Sequence, residues 1–455
     1  MGVVALADFG STYTKLRLVD PSEGRLLARA EAPTTIGSDL MEGYAAALEE
    51  ARRAAGSVEI DEQLAVSSAG GGLKVAAVGL VEDLTAAAAR QAALNSGARV
   101  EAVLAGTLDD DQLAKLEAAR PEIVLFAGGT DGGQAELVLE NARRLGARAI
   151  GGNAVVACNA AVAAEAAELL RRGGSRVEVA ANVMPSLGQL EIEPAREAIL
   201  RVFLDHVIGG KGLSASAEFQ RMVRLPTPEA VLEATRLLGD VVVVDVGGAT
   251  TDVHSNRTHE VEMPGVEDPL LPPPLTLRTV EGDLGMRFGA AGAMAVDGRW
   301  IEAEAGMGEG SIRHAVSLRG ADPKWLPEDD EGLRLDGLLA IGCATHALAR
   351  HCGTMLLTPG RNGPPTLVRS GPDLREAGMV LGTGGVFSHR GDGERVLREA
   401  LARKEPRSLV PVSPDFAVDS NYVLAAVGLL ATEDREAAIS LLRHELNLDM
   451  LSGSS

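Results

Sequence analysis

The most informative stretch of this chain is Val241-Val242-Val243-Val244-Asp245-Val246-Gly247-Gly248-Ala249-Thr250-Thr251-Asp252. Its run of valines predicts a buried β-strand, because β-branched side chains favour strands and an unbroken apolar run is typical of a strand covered on both faces. An aspartate, two glycines, two threonines and a second aspartate follow this strand. Such a turn can offer backbone N–H groups, hydroxyls and carboxylates to a phosphate and its metal ion.

A related segment opens the chain and reads Val3-Val4-Ala5-Leu6-Ala7-Asp8-Phe9-Gly10-Ser11-Thr12-Tyr13-Thr14-Lys15. It also runs from an apolar strand into an aspartate, a glycine and several hydroxyl residues, and Lys15 adds a cationic side chain. Gly10 would let the backbone approach a phosphate closely. Two such copies, about half a chain apart, predict a duplicated nucleotide-binding α/β fold. A plain hairpin with a polar turn remains the alternative for the first copy.

Each residue type in these two turns has an expected task at a nucleotide. The strand-end carboxylates Asp8 and Asp245 would face Mg²⁺, whose remaining ligands are usually water and phosphate oxygens. Asp252 would either orient the attacking water or hold the turn in place. The groups expected to bind phosphate are the hydroxyls of Ser11, Thr12, Thr14, Thr250 and Thr251, the side chain of Lys15, and the N–H groups of Gly247, Gly248, Ala249 and Thr250.

Two further glycine loops follow predicted strands. Gly382-Thr383-Gly384-Gly385 comes after Met379–Leu381, and its glycines would let the chain pass over an adenine and its ribose. Gly128-Gly129-Thr130-Asp131-Gly132-Gly133 lies between a strand at Ile123–Ala127 and a helix at Ala135–Leu145. Glycines are costly to order, so this second loop is expected to meet a ligand or a partner, and Asp131 is a candidate catalytic residue. An ordinary turn is the alternative for both loops.

The composition restricts the classes of partner. The 455 residues carry a formal charge of −21, which disfavours nucleic acid and anionic membranes. Three cysteines do not form a disulfide framework, and the N-terminus lacks the basic region of a signal peptide. The longest uncharged stretch, residues 149–164, is too short to span a bilayer. We therefore expect a soluble cytoplasmic protein whose anionic ligand is a nucleotide.

The order of these loops resembles the actin/Hsp70/sugar-kinase ATPase superfamily, with its duplicated ribonuclease H-like fold and two lobes around a nucleotide cleft. Within it, the chain resembles the family of the accessory protein L of adenosylcobalamin-dependent glutamate mutase (methylaspartate mutase). The segments that carry this resemblance span nearly the whole chain in order: ADFGSTYTKLRLVD (7–20), APTTI (32–36), SSAGGGLKVAAVGLV (67–81), LFAGGTDGG (125–133), NVMPSLGQLEIEPAR (182–196), VVDVGGATTDVHS (243–255), TVEGDLGMR (279–287) and NYVLAAVGLL (421–430).

The resemblance implies an ATP-dependent, chaperone-like protein that binds Mg-ATP and keeps a cobalamin mutase active by exchanging damaged cofactor. It implies a first lobe over residues 1–200 and a second over residues 201–455, with helices at about 417–447 packing back on the first. For the residue that activates water it leaves Asp131 and Glu218 as candidates beside Asp245 and Asp252. The residues that it aligns with the nucleotide site are Asp8, Gly10, Ser11 and Thr12, then Asp245, Gly247, Gly248, Thr250 and Asp252, and finally Gly382, Gly384 and Gly385.

Two other functions fit the same motifs. The first is a small-molecule kinase or an ATP-dependent hydantoinase-like enzyme of the same superfamily, whose turnover would rise steeply with one metabolite. The second is a filament-forming protein of the actin type, which would assemble in the presence of ATP. The sequence does not name the mutase partner or the oligomeric state.

Overall fold

The computed structural model describes residues 2–56, 58–148, 150, 152–207, 212–322, 325–358, 365–388 and 391–448. The chain forms two compact units. The first unit comprises Met1–Glu233, Leu270–Pro272 and Ala425–Leu441, and the second comprises Ala234–Pro269, Pro273–Leu424 and Leu442–Ser455. Residues 201–233, which we expected in the second lobe, cluster with the first unit. No helix in the described part of the chain is long and apolar enough to cross a membrane.

Eighteen strands are present in the described residues: β1 (Val3–Phe9), β2 (Tyr13–Asp20), β3 (Arg25–Pro33), β4 (Ile60–Ser67), β5 (Lys74–Val78), β6 (Arg99–Leu104), β7 (Ile123–Gly128), β8 (Asn153–Cys158), β9 (Arg176–Val179), β10 (Val223–Pro226), β11 (Val241–Val246), β12 (Thr251–Asn256), β13 (Val266–Glu267), β14 (Thr276–Glu281), β15 (Thr354–Thr358), β16 (Thr366–Ser370), β17 (Met379–Thr383) and β18 (Asp415–Val418).

The helices of the same residues are α1 (Leu40–Ala55), α2 (Ala87–Asn95), α3 (Asp110–Ala119), α4 (Glu136–Arg148), α5 (Ala163–Arg172), α6 (Glu193–Val202), α7 (Ala217–Met222), α8 (Thr227–Leu237), α9 (Ala290–Ala305), α10 (Glu309–Ala321), α11 (Asp330–His351), α12 (Gly385–Ser388), α13 (Gly393–Ala402), α14 (Leu424–Ala431) and α15 (Arg435–Leu446). Two π-helical turns, Glu82–Ala86 and Phe203–Val207, precede α2 and follow α6.

The first unit is built on a five-stranded sheet with the strand order β10-β4-β1-β2-β3. The strands β1, β2 and β3 form an antiparallel meander, whereas β4 pairs parallel with β1 and β10 pairs parallel with β4. The apolar residues of β1 and β2 are buried against α1, whose N-terminus is capped by the Asp39 carboxylate accepting from Met41 N.

The second unit repeats this topology. Its main sheet has the order β14-β12-β11-β17-β18, with an antiparallel meander β11-β12-β14 and two parallel additions, β17 on β11 and β18 on β17. The valines Val241–Val244 are fully buried, as their unbroken apolar run predicts. The two hairpins quoted from the sequence therefore occupy equivalent places in two copies of one fold, the duplicated actin-like ATPase fold.

An additional sheet interrupts the first copy between β4 and β10. Its five strands are all parallel, lie in the order β6-β5-β7-β8-β9 and are connected through helices. Every residue of β7 is buried, because helices cover both faces of a parallel sheet of this kind. The predicted strand and helix around the Gly128–Gly133 loop are confirmed as β7 and α4, and they belong to this inserted sheet.

Candidate functional site

The hairpin of the second unit brings its two aspartates face to face. Strands β11 and β12 pair so that Asp245 lies opposite Asp252, and Gly247 N donates to Thr250 O at 2.9 Å to close the turn. The tip residues Gly248 and Ala249 are exposed. Within the residues that the structure describes, nothing accepts a hydrogen bond from the N–H groups of Gly248, Ala249 and Thr250. Three consecutive free N–H groups can bind an anion.

The segment after β14 supports this turn from behind. Met286 N donates to Gly247 O at 2.9 Å, and Arg287 N donates to Gly248 O at 2.7 Å. An added Cβ on Gly285 would lie 2.6 Å from the carbonyl carbon of Ala249, so the two segments touch through their backbones. With its carbonyl groups bonded to this segment, the turn is held rigidly and its N–H groups remain available. The sequence Glu281–Arg287 thus has a structural task at the site.

The two threonines of the turn differ in direction. Thr250 Oγ1 donates to Asp252 Oδ2 at 3.2 Å, beside the free N–H groups. Thr251 is fully buried, and its Oγ1 donates to Leu284 O at 3.0 Å. Asp252 is itself largely buried, and its Oδ1 accepts from Arg278 Nε at 2.9 Å. These contacts favour the second of our two expectations for Asp252, that it holds the turn in place.

The loop Gly382–Gly385 lies directly beside Asp245. Strand β17 pairs with β11 so that Thr383 is the neighbour of Asp245. Gly384 has a φ of +99°, and an added Cβ there would lie 2.6 Å from Asp245 Oδ1. Thr383 is buried and its hydroxyl donates to Asp419 Oδ2 at 3.1 Å, while Gly385 begins α12. The structure therefore brings together the turn predicted to bind phosphate in the second unit and the loop predicted to bind adenosine.

A cavity of about 590 Å³ opens next to Arg287, in a size range typical of small-molecule sites. Sequence reasoning missed it, because its walls come from two helices and the loop before them. The residues that line it are Arg287, Phe288, Ala291, Met294, Arg313, Val316, Ser317, Gly320 and Ala321. Phe288 lines the cavity and is two-thirds exposed (67%). Arg287 therefore lies between this turn and an apolar cavity, and both arginines at the cavity are ion-paired, Arg287 with Asp336 and Arg313 with Glu309.

The hairpin of the first unit has a similar tip and a different base. Asp8 Oδ1 accepts from Thr227 Oγ1 at 2.6 Å, and Asp8 Oδ2 lies 3.9 Å from Lys15 Nζ. At the tip, Ser11 and Thr12 are exposed, and no described residue accepts from their N–H groups. Thr14, in contrast, is fully buried with its hydroxyl 3.3 Å from Thr34 Oγ1.

Gly10 sits where the first hairpin turns most tightly. A Cβ added there would lie 2.7 Å from Tyr13 O, so the backbone of the tip folds closely over this position. The Gly10 carbonyl accepts from Thr34 Oγ1 at 2.9 Å, which fixes the tip to the segment after β3.

Asp131 is bonded inside the inserted sheet. Its Oδ1 accepts from Ala160 N and from Asn182 Nδ2, each at 2.9 Å, and its own N–H donates to Pro185 O at 2.9 Å. These bonds join the loop after β7 to the chain after β8 and β9. Asp8, by contrast, lies on the meander sheet. The other candidate, Glu218, is exposed in the first turn of α7. The contacts of neither residue indicate catalysis.

The carboxylates fit a magnesium ion only together with a nucleotide. The described residues contain no group of three or more His, Cys, Asp or Glu side chains that could hold a metal by themselves. Mg²⁺ usually keeps several waters and binds one or two carboxylates plus phosphate oxygens. A strand-end aspartate would supply one carboxylate, and a nucleotide would supply the phosphate oxygens. Asp245, half-buried next to free N–H groups, offers such a carboxylate oxygen.

Two neutral histidines lie behind the second hairpin. His351, at the end of α11, places Nε2 2.8 Å from Ser255 Oγ and Nδ1 2.8 Å from Thr279 Oγ1. Complete burial lowers the pKa of His351 to about 3. Burial, assisted by the positive charge of Arg278, also lowers the pKa of His254 well below its ordinary value. Both rings are therefore uncharged at neutral pH, and the His351 ring ties the meander to α11.

The chain has relatives along its whole length. The family model described as MutL protein matches residues 4–446. Protein MutL of Clostridium tetanomorphum is 37% identical over 462 residues, covering 98% of this chain and 99% of the relative.

Among solved structures, the chain is similar to nucleotide-free acetone carboxylase, with 14% identity, a TM-score of 0.43, and coverage of 94% of this chain and 70% of that chain. It is also similar to a diol dehydratase-reactivating factor in nucleotide-free form, with 12% identity, a TM-score of 0.38, and coverage of 95% and 99% of the two chains. The match to the family model and the full-length relative agree, and the chain belongs to the MutL protein family.

Proposed function

We propose that this protein binds and hydrolyses ATP as an accessory protein that reactivates an adenosylcobalamin-dependent mutase. The observation that carries the nucleotide part is the turn Gly247–Thr250, with three consecutive N–H groups that have no acceptor among the described residues. Asp245 lies at its base and Gly384 packs against that carboxylate. Donors of this kind, fixed in advance, suit the oxygens of a phosphate chain.

In this proposal the turn binds the β- and γ-phosphates, and Asp245 holds Mg²⁺ through a carboxylate oxygen. The ion would supply charge neutralisation at the phosphate oxygens. The cavity beside Arg287 takes the nucleoside, because its apolar walls suit a base. Ser11 and Thr12 offer the first hairpin's own N–H donors to phosphate. We also propose that Asp8 contributes to Mg²⁺ binding.

The partner is proposed from the resemblance to the glutamate mutase accessory protein. Radical mutases occasionally lose the adenosyl group and retain inactive cobalamin, and releasing it requires opening a tight site. A nucleotide with different affinities for two states of the accessory protein could supply the free energy for that opening. The charge of −21 argues against DNA, which a name shared with a mismatch-repair protein would otherwise suggest.

The phosphate site is tested by calorimetry with Mg-ATP. We expect Asp245→Ala to weaken binding by about 10- to 100-fold, the range for loss of a charged contact. Asp415→Ala is the matched control, because Asp415 is exposed on the same sheet and pairs with Met379, at the opposite end of β17 from Gly384. Unchanged affinity in Asp245→Ala would refute the phosphate assignment.

The nucleoside cavity is tested separately from the phosphate turn. Gly320 lies in α10, and an added Cβ there would have its nearest neighbour, Arg287 O, at 3.9 Å. Gly320→Leu should therefore fill the cavity without straining the backbone. We expect weaker binding of ATP and unchanged binding of inorganic tripolyphosphate. Equal losses for both ligands would show that the cavity does not hold the nucleoside.

The mutase assignment is tested by reactivation. Glutamate mutase inactivated with hydroxocobalamin is mixed with this protein, Mg-ATP and fresh adenosylcobalamin, and its activity is followed. Recovery that requires ATP and is absent with Asp245→Ala supports the proposal. Failure with glutamate mutase and related aminomutases would count against it, and ATP turnover that rises with a small metabolite would then favour the kinase or hydantoinase-like reading.

A further inference from the structure

A two-stranded ribbon in the second unit exposes leucines on both of its faces. We define the ribbon as β15 and β16, which pair antiparallel. Leu357 lies opposite Leu367, so these two side chains share one face, and Leu356 points to the other. Their exposures are 46% for Leu356, 55% for Leu357 and 42% for Leu367. A soluble protein rarely leaves apolar residues together in this way unless something covers them.

Part of the outer edge of the ribbon has no pairing strand among the residues that the structure describes. In the sheet order β13-β16-β15, strand β15 is the last. The chain itself covers only the start of this edge, where Met355 N donates to Arg407 O at 3.0 Å and Thr354 forms an antiparallel bridge with Ser408. Since backbone groups alternate along a strand, the N–H and C=O of Leu357 point outward as those of Met355 do. No described residue pairs with that side of Leu356–Thr358.

Strand β15 itself carries none of the sequence features that usually protect an edge strand. Natural edge strands are guarded by inward charges, proline or bulges. Strand β15 has the sequence TMLLT, with no charged residue and no proline, and its pairing with β16 is regular from Thr354 to Thr358. An unguarded apolar edge is typical of a strand that receives another strand.

The charges beside this edge identify the chemistry of the incoming strand. Lys404 and Arg407 are exposed at the covered end of β15, and neither has a carboxylate partner among the described residues. Glu405 lies between them, which leaves this end net positive in a chain whose total charge is −21. Two copies of a chain that carries a net charge of −21 repel each other as a whole, whereas a different protein with an extended apolar segment and acidic residues at one end of it matches this positive end.

We infer that the ribbon is the docking surface for the enzyme that this protein serves, which adds an extended, acid-flanked apolar segment as a new strand on β15. The partner's backbone bonds to Leu357 N–H and C=O, its apolar side chains cover Leu357 and Leu367, and its carboxylates meet Lys404 and Arg407. This inference rests on the proposed function for the identity of the partner and not on the nucleotide site.

Binding of glutamate mutase holoenzyme to the immobilised full-length chain tests the inference. We expect Leu357→Asp and Leu367→Asp each to weaken binding about tenfold or more, through lost apolar burial and an added negative charge. The double variant Lys404→Glu, Arg407→Glu should weaken it several-fold and reduce its salt dependence. Leu326→Asp is the matched control, because Leu326 is exposed in the same unit and lies outside the ribbon. All four variants should bind Mg-ATP like the wild type.

The outcomes separate the two proposals. If the wild type binds the mutase and the ribbon variants bind it equally well, the docking inference is overturned and the proposed function stands. If the wild type binds no mutase, the proposed function fails, and the partner proposed for the ribbon fails with it. Sedimentation of the chain alone gives the remaining outcome, since a dimer that Leu357→Asp dissociates would assign the ribbon to a second copy and overturn the inference.

Discussion

The hairpins of the two units share one topology and differ in what lies under them. The first has a lysine 3.9 Å from Asp8 and a threonine bonded to it. The second has Asp252 paired with Arg278, which is only 2% exposed, and a turn whose carbonyls are bonded to the segment after β14. The second turn is thus fixed by buried interactions, whereas the first depends on contacts nearer the surface. The two copies of a duplicated fold can therefore share one topology while different interactions hold the turn of each copy.

The largest expected contrast comes from removing the cation of each pair. Arg278→Met leaves the Asp252 carboxylate buried without its counter-charge, and we expect it to lower the free energy of unfolding by about 3–5 kcal/mol. Lys15→Met should cost about 1 kcal/mol or less, because that pair is longer and partly exposed. Urea unfolding followed by tryptophan fluorescence measures the first effect, since both tryptophans, Trp300 and Trp325, lie in the second unit.

A double variant shows whether the buried charge causes this loss. In Arg278→Met, Asp252→Leu no charge is left unpaired, so the double variant should be more stable than Arg278→Met alone. Circular dichroism reports both units and serves for Lys15→Met. Similar losses for Arg278→Met and Lys15→Met would contradict the contrast between the hairpins.

Glycine substitutions should produce the next largest difference. Gly384→Ala places a Cβ 2.6 Å from Asp245 Oδ1 at a φ of +99°, and we expect it to destabilise the second unit by about 2–4 kcal/mol. Gly10→Ala meets Tyr13 O at 2.7 Å without a positive φ, so its cost should be smaller, about 1–2 kcal/mol. Gly378→Ala has no atom within 4 Å of the new Cβ and is the control. A neutral Gly384→Ala would disprove the close approach to Asp245.

The pH dependence of stability should be concentrated in the second unit. The unfolded chain protonates His351 near pH 6.5, whereas the folded chain keeps it neutral down to about pH 3. The unfolded state therefore binds more protons between these values, and stability is full above pH 6.5 and falls as the pH is lowered. From pH 7 to pH 5 we expect a loss of about 2 kcal/mol from this residue.

Denaturant midpoints from tryptophan fluorescence at several pH values measure this loss. His351→Gln should flatten the pH profile, even though the variant is less stable at pH 7. The first unit contains one histidine, His206, so its own transition should change less. A profile that is equally steep in His351→Gln would show that other groups cause the pH dependence.

The smallest effect is expected in the inserted sheet of the first unit. Asp131→Asn keeps an oxygen that can accept from Ala160 N and Asn182 Nδ2, so Mg-ATP affinity and hydrolysis should stay within about twofold of wild type. A large loss of hydrolysis with normal folding would instead support the catalytic role that the glycine loop suggested from sequence.

Much of the second hairpin could be predicted from local sequence. The valine run, the glycine pair and the flanking aspartates define strand, turn and strand, because these features depend on backbone propensity alone. The inserted sheet was harder to predict, since strands such as KVAAV and NAVVAC are alanine-rich and short apolar runs do not distinguish strands from helices. Of the five strands of that sheet, the sequence predicts only β7, which precedes the Gly128–Gly133 loop.

The candidate site was predictable to a lesser degree. The sequence pattern identifies the hydroxyl residues of the candidate site. It does not indicate that Thr14, Thr251 and Thr383 are buried while Ser11 and Thr12 are exposed. The cavity was not foreseen, because Arg313, Ser317 and Gly320 form one line only on the surface of a folded helix.

By itself, the sequence determined a duplicated strand-turn-strand unit, and its full-length pattern determined the family. Tertiary structure decided which hydroxyls point inward, that Arg278 neutralises Asp252, that Gly384 packs on Asp245, and that part of the β15 edge has no pairing strand among the described residues. The physical reason is the separation along the chain of the residues that determine each feature. Turn formation depends on neighbouring residues, whereas burial, ion pairing and exposure depend on segments far apart in the chain, such as Asp245 and Gly384 or the hydrogen-bonded Asp8 and Thr227, which are 219 residues apart.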